Sequence, residues 1–131
     1  MPPFFKNIDC ISFKVDDLDQ AIAFYSQKLE QKLLWKTPTA AGLAFGEGSS
    51  ELVLYTEDRP AGTDLLVESV PEAIQRFIQT GGKLLFGPID IPVGQFAVVT
   101  DPFGNALNIL DLSKGTYQVD ESMNVISVAK N

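Results

Sequence analysis

One segment of this chain occurs twice. The residues Val15–Tyr25, VDDLDQAIAFY, align without a gap with Val67–Phe77, VESVPEAIQRF. Each copy runs from the end of an alternating strand pattern, through a helix cap, into an amphipathic helix. The repeat therefore predicts two similar modules related by pseudo-twofold symmetry. It also directs the search for a ligand site to the sheet faces that point away from the helices.

Each module is predicted to contain a strand, a helix and three further strands. Residues 8–15 alternate in polarity, which places Ile11 and Phe13 on the face toward the helix and Cys10 and Ser12 on the opposite face. The other strands are predicted at Leu33–Lys36, Gly42–Phe45 and Glu51–Tyr55 in the first module, at Lys83–Phe86, Phe96–Thr100 and Ala106–Leu110 in the second, and at Asn124–Val128 near the C-terminus.

The two predicted helices share a start signal. Asp17 is followed three residues later by Gln20, and Ser69 by Glu72, which is the spacing of a capping box. Each helix then carries one apolar stripe at helical spacing, formed by Ala21, Ile22, Tyr25 and Leu29 in the first copy and by Ala73, Ile74, Phe77 and Ile78 in the second.

The length of 131 residues suits one domain and is too short for two independent ones. We therefore predict a single α+β domain, built from two tandem βαβββ modules that share an interior. The modules are expected at residues 7–56 and 62–112, and residues 113–131 form a polar C-terminal tail.

Charge and composition exclude several functions. Ten basic against 17 acidic residues give a formal charge of −7, which argues against nucleic-acid binding and favours a cationic ligand. No apolar run reaches the ~18 residues of a membrane span, and the start of the chain lacks the features of a secretory signal. A single cysteine, Cys10, cannot form an internal disulfide, so we expect a cytoplasmic protein. The absence of histidine removes the commonest general base and the commonest transition-metal ligand.

A tight turn at residues 101–105, Asp-Pro-Phe-Gly-Asn, is predicted to close the last hairpin of the second module. Together with Val15–Tyr25 and its second copy, this turn resembles the vicinal oxygen chelate superfamily. That superfamily contains glyoxalase I, extradiol dioxygenases, fosfomycin-resistance enzymes and bleomycin-resistance proteins. The resemblance covers residues 7 to 112. It implies curved mixed sheets that enclose a cleft, with the helices on the outer faces.

The resemblance also implies where a metal would bind. In metal-dependent members, the first and last strands of each module hold the ion at four positions, which usually carry His, Glu or Gln. These positions correspond to Cys10, Glu51, Gly62 and Asn108. Gly62 has no side chain and Asn108 is a weak ligand, so at most two donors are available, fewer than the usual three of catalytic zinc sites. We expect no bound metal and no cofactor, although a register shift in the second module would turn Asp64 inward.

Eight residues form the candidate ligand-binding set. Glu51 is the central one, since alternation places it on the cleft side, where it would be a general base, the partner of a cationic ligand, or a solvated edge carboxylate. Cys10 is either a space-filling thiol or a nucleophile activated by Lys14. For the aromatic members both a core role and ligand stacking stay open. The set is Cys10, Ser12, Trp35, Phe45, Glu51, Tyr55, Phe96 and Asn108.

Three functional hypotheses follow, and we favour the first. It is a metal-free protein similar to the bleomycin-resistance branch, which binds a small organic molecule, cationic or aromatic, in the cleft between the modules. The resemblance makes a homodimer an option. The second hypothesis is an enzyme, a lyase, isomerase or dioxygenase-like catalyst, that uses Glu51 as a base or partial metal ligand. The lack of histidine counts against dioxygenase chemistry, because non-haem Fe(II) sites normally use two histidines and one carboxylate. A third option, a regulatory module, would have its cleft filled by its own side chains.

Overall fold

Two helix caps and the alternation of the strands set the secondary structure. The computed structural model describes residues 3–130, which divide into two compact units. The first unit comprises Asp9–Gly62 and Tyr117–Ser127, and the second comprises residues 3–8, Thr63–Thr116 and 128–130. Each unit combines one helix with mixed strands, which confirms the predicted α+β class. Among the described residues, no helix is long and apolar enough to cross a membrane.

The first unit follows the predicted order of a strand, a helix and three strands. Its strands hydrogen-bond in the order β2, β3, β4, β1, and β1 runs parallel to β4 while the other pairs are antiparallel. The elements are β1 (Asn7–Lys14), α1 (Leu18–Ala23) continued by a π-helical turn (Phe24–Lys28), β2 (Leu33–Lys36), β3 (Ala40–Ala44) and β4 (Glu51–Tyr55).

The second unit repeats this order, with strands arranged β5, β8, β7, β6 and β5 parallel to β8. The C-terminal segment contains more structure than expected. Its predicted last strand is present, but a further strand precedes it, and the two form a separate sheet. The elements of the second unit are β5 (Gly62–Leu66), α2 (Val70–Gln79), β6 (Lys83–Ile91), β7 (Gly94–Thr100) and β8 (Ala106–Leu110). The separate C-terminal sheet consists of β9 (Thr116–Val119) and β10 (Val125–Ala129).

The predicted caps and the predicted turn are confirmed. Asp17 Oδ1 accepts a hydrogen bond from the Gln20 amide at 3.0 Å, and Ser69 Oγ accepts one from the Glu72 amide at 3.4 Å. In the turn between β7 and β8, one oxygen of Asp101 accepts from the backbone amides of residues 103 and 105 at 2.9 Å each. Local sequence alone therefore determines these starts and stops.

Each helix packs on one face of its own sheet. The stripe predictions hold except at Leu29 and Ile78, which are 52% and 55% exposed because they sit at the ends of their helices. The buried clusters are Leu18, Ala41, Leu43, Leu52 and Leu54 in the first unit, and Val67, Val70, Ala73, Ile74, Ala97, Val99 and Ile109 in the second.

A buried carboxylate holds the second unit together. Asp111, 1% exposed, follows β8 and accepts hydrogen bonds from the Val70 amide at 2.8 Å and the Gln95 amide at 2.9 Å. It thereby joins the start of α2 to β7. The positive end of the helix dipole at the start of α2 also stabilises a negative charge at this position. Gly94 is needed beside it, because a Cβ there would collide with Asp111.

We expect Asp111→Ala to lower the free energy of unfolding by roughly 3 kcal/mol, since at least two buried amides lose their acceptor. Urea unfolding monitored by circular dichroism measures the loss. Asp111→Asn keeps one acceptor oxygen and should lose less. A loss below about 1 kcal/mol for the alanine variant would contradict the assigned role.

Candidate functional site

The face of the first unit's sheet away from α1 carries a carboxylate held by an indole. Trp35 on β2 donates a hydrogen bond from Nε1 to Glu51 Oε1 on β4, at 2.8 Å. Both side chains are partly buried. Within the described residues, no hydrogen bond to the second carboxylate oxygen of Glu51 is formed. The site therefore presents one fixed and one available oxygen.

A glycine makes this contact possible. Gly42 on β3 lies opposite Trp35 in the sheet, and the indole lies across it. A Cβ at Gly42 would overlap the indole ring and come within 2.7 Å of Glu51 Oε1. Any other residue at this position would displace the ring. The strand prediction from Gly42 to Phe45 did not reveal this role, because a close approach across strands is a tertiary feature.

Tyr117 extends the aromatic surface. Its ring lies 4.4 Å from that of Trp35, centroid to centroid, with 35° between the planes. The sequence analysis missed this residue because it assigned residues 113–131 to a polar tail. The alternating, strand-forming residues Thr116–Val119 that follow Gly115 are the signal that would have found it.

The electrostatics of the site follow from its burial. Loss of solvent raises the pKa of Glu51 above its ordinary value of 4.5, and the charge of Asp9 adds to the rise, while the bond from Trp35 opposes it. Burial, with a contribution from Glu57, raises the pKa of Tyr117 to about 12, so its phenol stays protonated at neutral pH. The ionised form of Glu51 is therefore disfavoured by its surroundings.

The small polar residues expected beside Glu51 have structural roles. Cys10 is 4% exposed and lies opposite Glu51 in the register of β1 and β4. Ser12 Oγ donates to the Gly62 carbonyl at 3.1 Å and accepts from the Gly62 amide at 3.2 Å. Lys14, the cation predicted to activate the thiol, pairs with Asp58 at 3.2 Å. The geometry thus favours the space-filling interpretation of Cys10.

Two aromatic residues differ from expectation. Phe45 was predicted to line the cleft, but it packs with the helix-facing cluster, because it follows β3 in phase with Leu43. This prediction was wrong. Tyr55 is fully buried, donates its hydroxyl to the Arg59 carbonyl at 2.8 Å, and has the Arg59 guanidinium 4.2 Å above its ring. Its ring is part of the core and is not open to a ligand.

The second unit carries its own polar pair on the face away from α2. Asn108 Nδ2 donates to Asp64 Oδ1 at 3.1 Å, and both residues are buried. The two residues are paired in the register of β8 and β5. Asp64 therefore faces the same side of the sheet as Asn108, which is the alternative that the sequence analysis left open for the second module. Phe96, fully buried, packs on the same face with Val98.

The residues at the four inherited metal positions do not fit a metal. Gly62 offers no side chain and Asn108 only a neutral amide, so Glu51 and Cys10 are the remaining donors of this set. Residues 3–130 contain no group of three or more histidine, cysteine, aspartate or glutamate side chains that could hold an ion. A tight metal site needs at least three such donors.

Comparison with known protein families shows to which superfamily the chain belongs. A model of the Glyoxalase/Bleomycin resistance protein/Dioxygenase superfamily matches residues 7–109. The chain belongs to this superfamily. The match confirms the resemblance carried by the repeated segment and the turn at residues 101–105. No curated protein sequence matches the chain.

Solved structures of similar fold carry different names. Methylmalonyl-CoA epimerase from Mycobacterium tuberculosis has a TM-score of 0.64 and 16% identity, covering 85% of this chain and 91% of that chain. NAD-dependent benzaldehyde dehydrogenase from Legionella pneumophila has a TM-score of 0.61 and 23% identity, covering 79% and 97%. An uncharacterised protein from Methanosarcina mazei has a TM-score of 0.55 and 20% identity, covering 86% and 96%. At these identities the likeness shows the fold alone.

Trp35 is the only tryptophan, so its fluorescence should report the ionisation of Glu51. We expect a titration midpoint above pH 4.5, because burial raises the pKa of Glu51. Asp9→Asn should lower the midpoint by removing a nearby negative charge. Glu51→Gln should abolish the transition, and a transition that survives in this variant would assign the signal to another group.

Glu51 should also reduce stability at neutral pH. Because its pKa is raised in the folded state, the folded chain binds more protons than the unfolded chain between the two pKa values, so the unfolding free energy falls as pH rises through this window. Glu51→Gln keeps an acceptor for the indole and removes the buried charge. We expect a higher Tm at pH 7 and a smaller difference between pH 4 and pH 7.

Glu47→Gln is the matched control for the stability measurement, since Glu47 is an exposed carboxylate in the loop between β3 and β4. Glu47→Gln changes the net charge by the same amount as Glu51→Gln, but the carboxylate that it removes is exposed to solvent. Equal Tm changes in the two variants would show that net charge, rather than the burial of Glu51, controls the pH dependence.

Proposed function

We propose that this superfamily member binds a small organic cation with a flat or aromatic part on the Glu51 face of the first unit, without a tightly bound metal. The observation that carries the proposal is the Glu51 carboxylate, held by Trp35 at 2.8 Å, whose indole is itself stacked on Tyr117. A placed carboxylate beside aromatic faces is a chemistry that recognises organic cations. The location of the ligand between the modules stays a prediction.

Charge and burial support this ligand class. Partial burial makes the ionised form of Glu51 unfavourable, as its raised pKa indicates. A cationic ligand restores a favourable environment for that charge and is attracted by the aromatic faces when it lies within about 6 Å of a ring centroid. The net charge of −7 raises the local concentration of cations around the chain.

One observation favours a second candidate, an enzyme that uses Glu51 as a general base. A carboxyl whose pKa is raised toward neutrality is better suited to accept a proton than an ordinary glutamate. The available oxygen of Glu51 would accept the proton while Trp35 holds the other. The fold is shared with methylmalonyl-CoA epimerase, so it accommodates an isomerase elsewhere. Dioxygenase chemistry has no comparable support among these residues.

Binding can be measured by calorimetry with benzyltrimethylammonium as the cation and benzyl alcohol as its neutral counterpart. We expect binding of the cation and at least roughly tenfold weaker binding to Glu51→Gln, because a tenfold change corresponds to about 1.4 kcal/mol, the order of one charged contact. Affinity should decline as pH falls through the raised pKa of Glu51, beginning above pH 4.5. Glu47→Gln should bind as the unchanged protein does.

Equal binding of the cation and the alcohol, or no effect of Glu51→Gln, would contradict the ligand class. The enzyme candidate predicts a different result. It would be favoured if the protein catalyses hydrogen–deuterium exchange at the carbon next to a thioester carbonyl, and if Glu51→Gln abolishes this exchange while leaving thioester binding intact.

A further inference from the structure

A cavity on the opposite face of the first unit's sheet has no role in the Glu51 site. It has a volume of about 350 Å³ and lies between the sheet and the π-helical turn that follows α1. Its walls include Ile11 and Phe13 from β1, Leu52 from β4, Phe45, and Tyr25 and Leu29 from the helical side. A volume of this size lies within the range of small-molecule sites.

The second unit shows which group contacts the counterpart of one cavity wall. The ungapped repeat places Tyr25 at the position of Phe77 and Phe13 at that of Leu65. In the second unit, Phe4, Leu65 and Phe77 all pack against the same buried cluster, and the Phe4 ring lies 5.6 Å from the Phe77 ring at 69°. The counterpart of Tyr25 therefore has an aromatic ring in contact with it.

The local structure of the first unit keeps this space open. Phe24–Lys28 forms a π-helical turn, whereas α2 is a regular helix through Gln79. Single π-helical turns widen a helix and are frequent at functional sites. Phe13 and Leu29, which line the cavity, are 45% and 52% exposed. An apolar occupant would remove this surface from water.

We propose that this cavity is a second ligand site, which binds a neutral aromatic molecule. Its walls are mainly apolar, and Gln31 and Tyr25 are its neutral polar residues, so a charged ligand would lose its solvation without gaining an ionic partner. The aromatic preference follows from the rings of Phe13, Tyr25 and Phe45 in the walls. In the repeat, Phe77, the counterpart of Tyr25, contacts the ring of Phe4. The site is independent of Glu51, which lies on the other face of the sheet.

N-phenyl-1-naphthylamine, a neutral probe whose fluorescence rises in apolar surroundings, tests this proposal on the full chain. We expect saturable binding of one probe per chain. Leu29→Trp, which places an indole at the cavity mouth, should weaken binding by about tenfold or more. Phe13→Lys provides a second variant at an exposed wall, and the same loss is expected because a charge would enter the lining.

The matched control is Ile78→Trp, a substitution at a similarly exposed position on α2 of the second unit, which should bind the probe normally. Glu51→Gln should also bind it normally, which separates this site from the proposed cation site. The proposal is overturned if the probe does not bind, or if Leu29→Trp and Ile78→Trp bind it equally. A dimer in sedimentation that becomes monomeric with Phe13→Lys would also overturn it, by showing that a second copy covers the cavity.

Discussion

Alternation of side chains along the strands is the constraint on which the rest of the structure depends. In each unit, one face of the sheet is apolar and packs on a helix, so the other face is available for polar groups. The parallel pairing of β1 with β4 then places Cys10 opposite Glu51, and the pairing of β5 with β8 places Asp64 opposite Asn108. The polar groups of both units arise from this one geometric rule.

The two faces of the first unit's sheet illustrate how stability and function compete. The helix face carries the apolar cluster of the first unit, whereas the opposite face keeps a half-buried carboxylate whose pKa is raised by burial. A single indole hydrogen bond, permitted by Gly42, only partly compensates for the lost solvation. Retaining such a charge beside Trp35 and Tyr117 is easier to understand as a binding feature than as a stabilising one.

The repeat is symmetric in topology and asymmetric in chemistry. In the second unit, the buried Asp64 carboxylate accepts a hydrogen bond from Asn108, and the Phe4 ring packs against Phe77 beside the helix. The first unit leaves one oxygen of Glu51 available and keeps a cavity beside its π-helical turn. The two units of the repeat therefore differ in how their polar groups are paired, and both proposed ligand sites lie in the first unit.

The sequence by itself determined the order of strands and helices, the caps at Asp17 and Ser69, and the turn at Asp101, because each depends on neighbours within a few residues. It also excluded histidine chemistry. The tertiary structure alone decided that Trp35 holds Glu51 and that Tyr117, far along the chain, stacks on it. Such contacts join strands that are not adjacent in sequence. Likewise, Phe45 lies on the helix side because side chains alternate along β3, and a shift of one residue would have placed it on the other face.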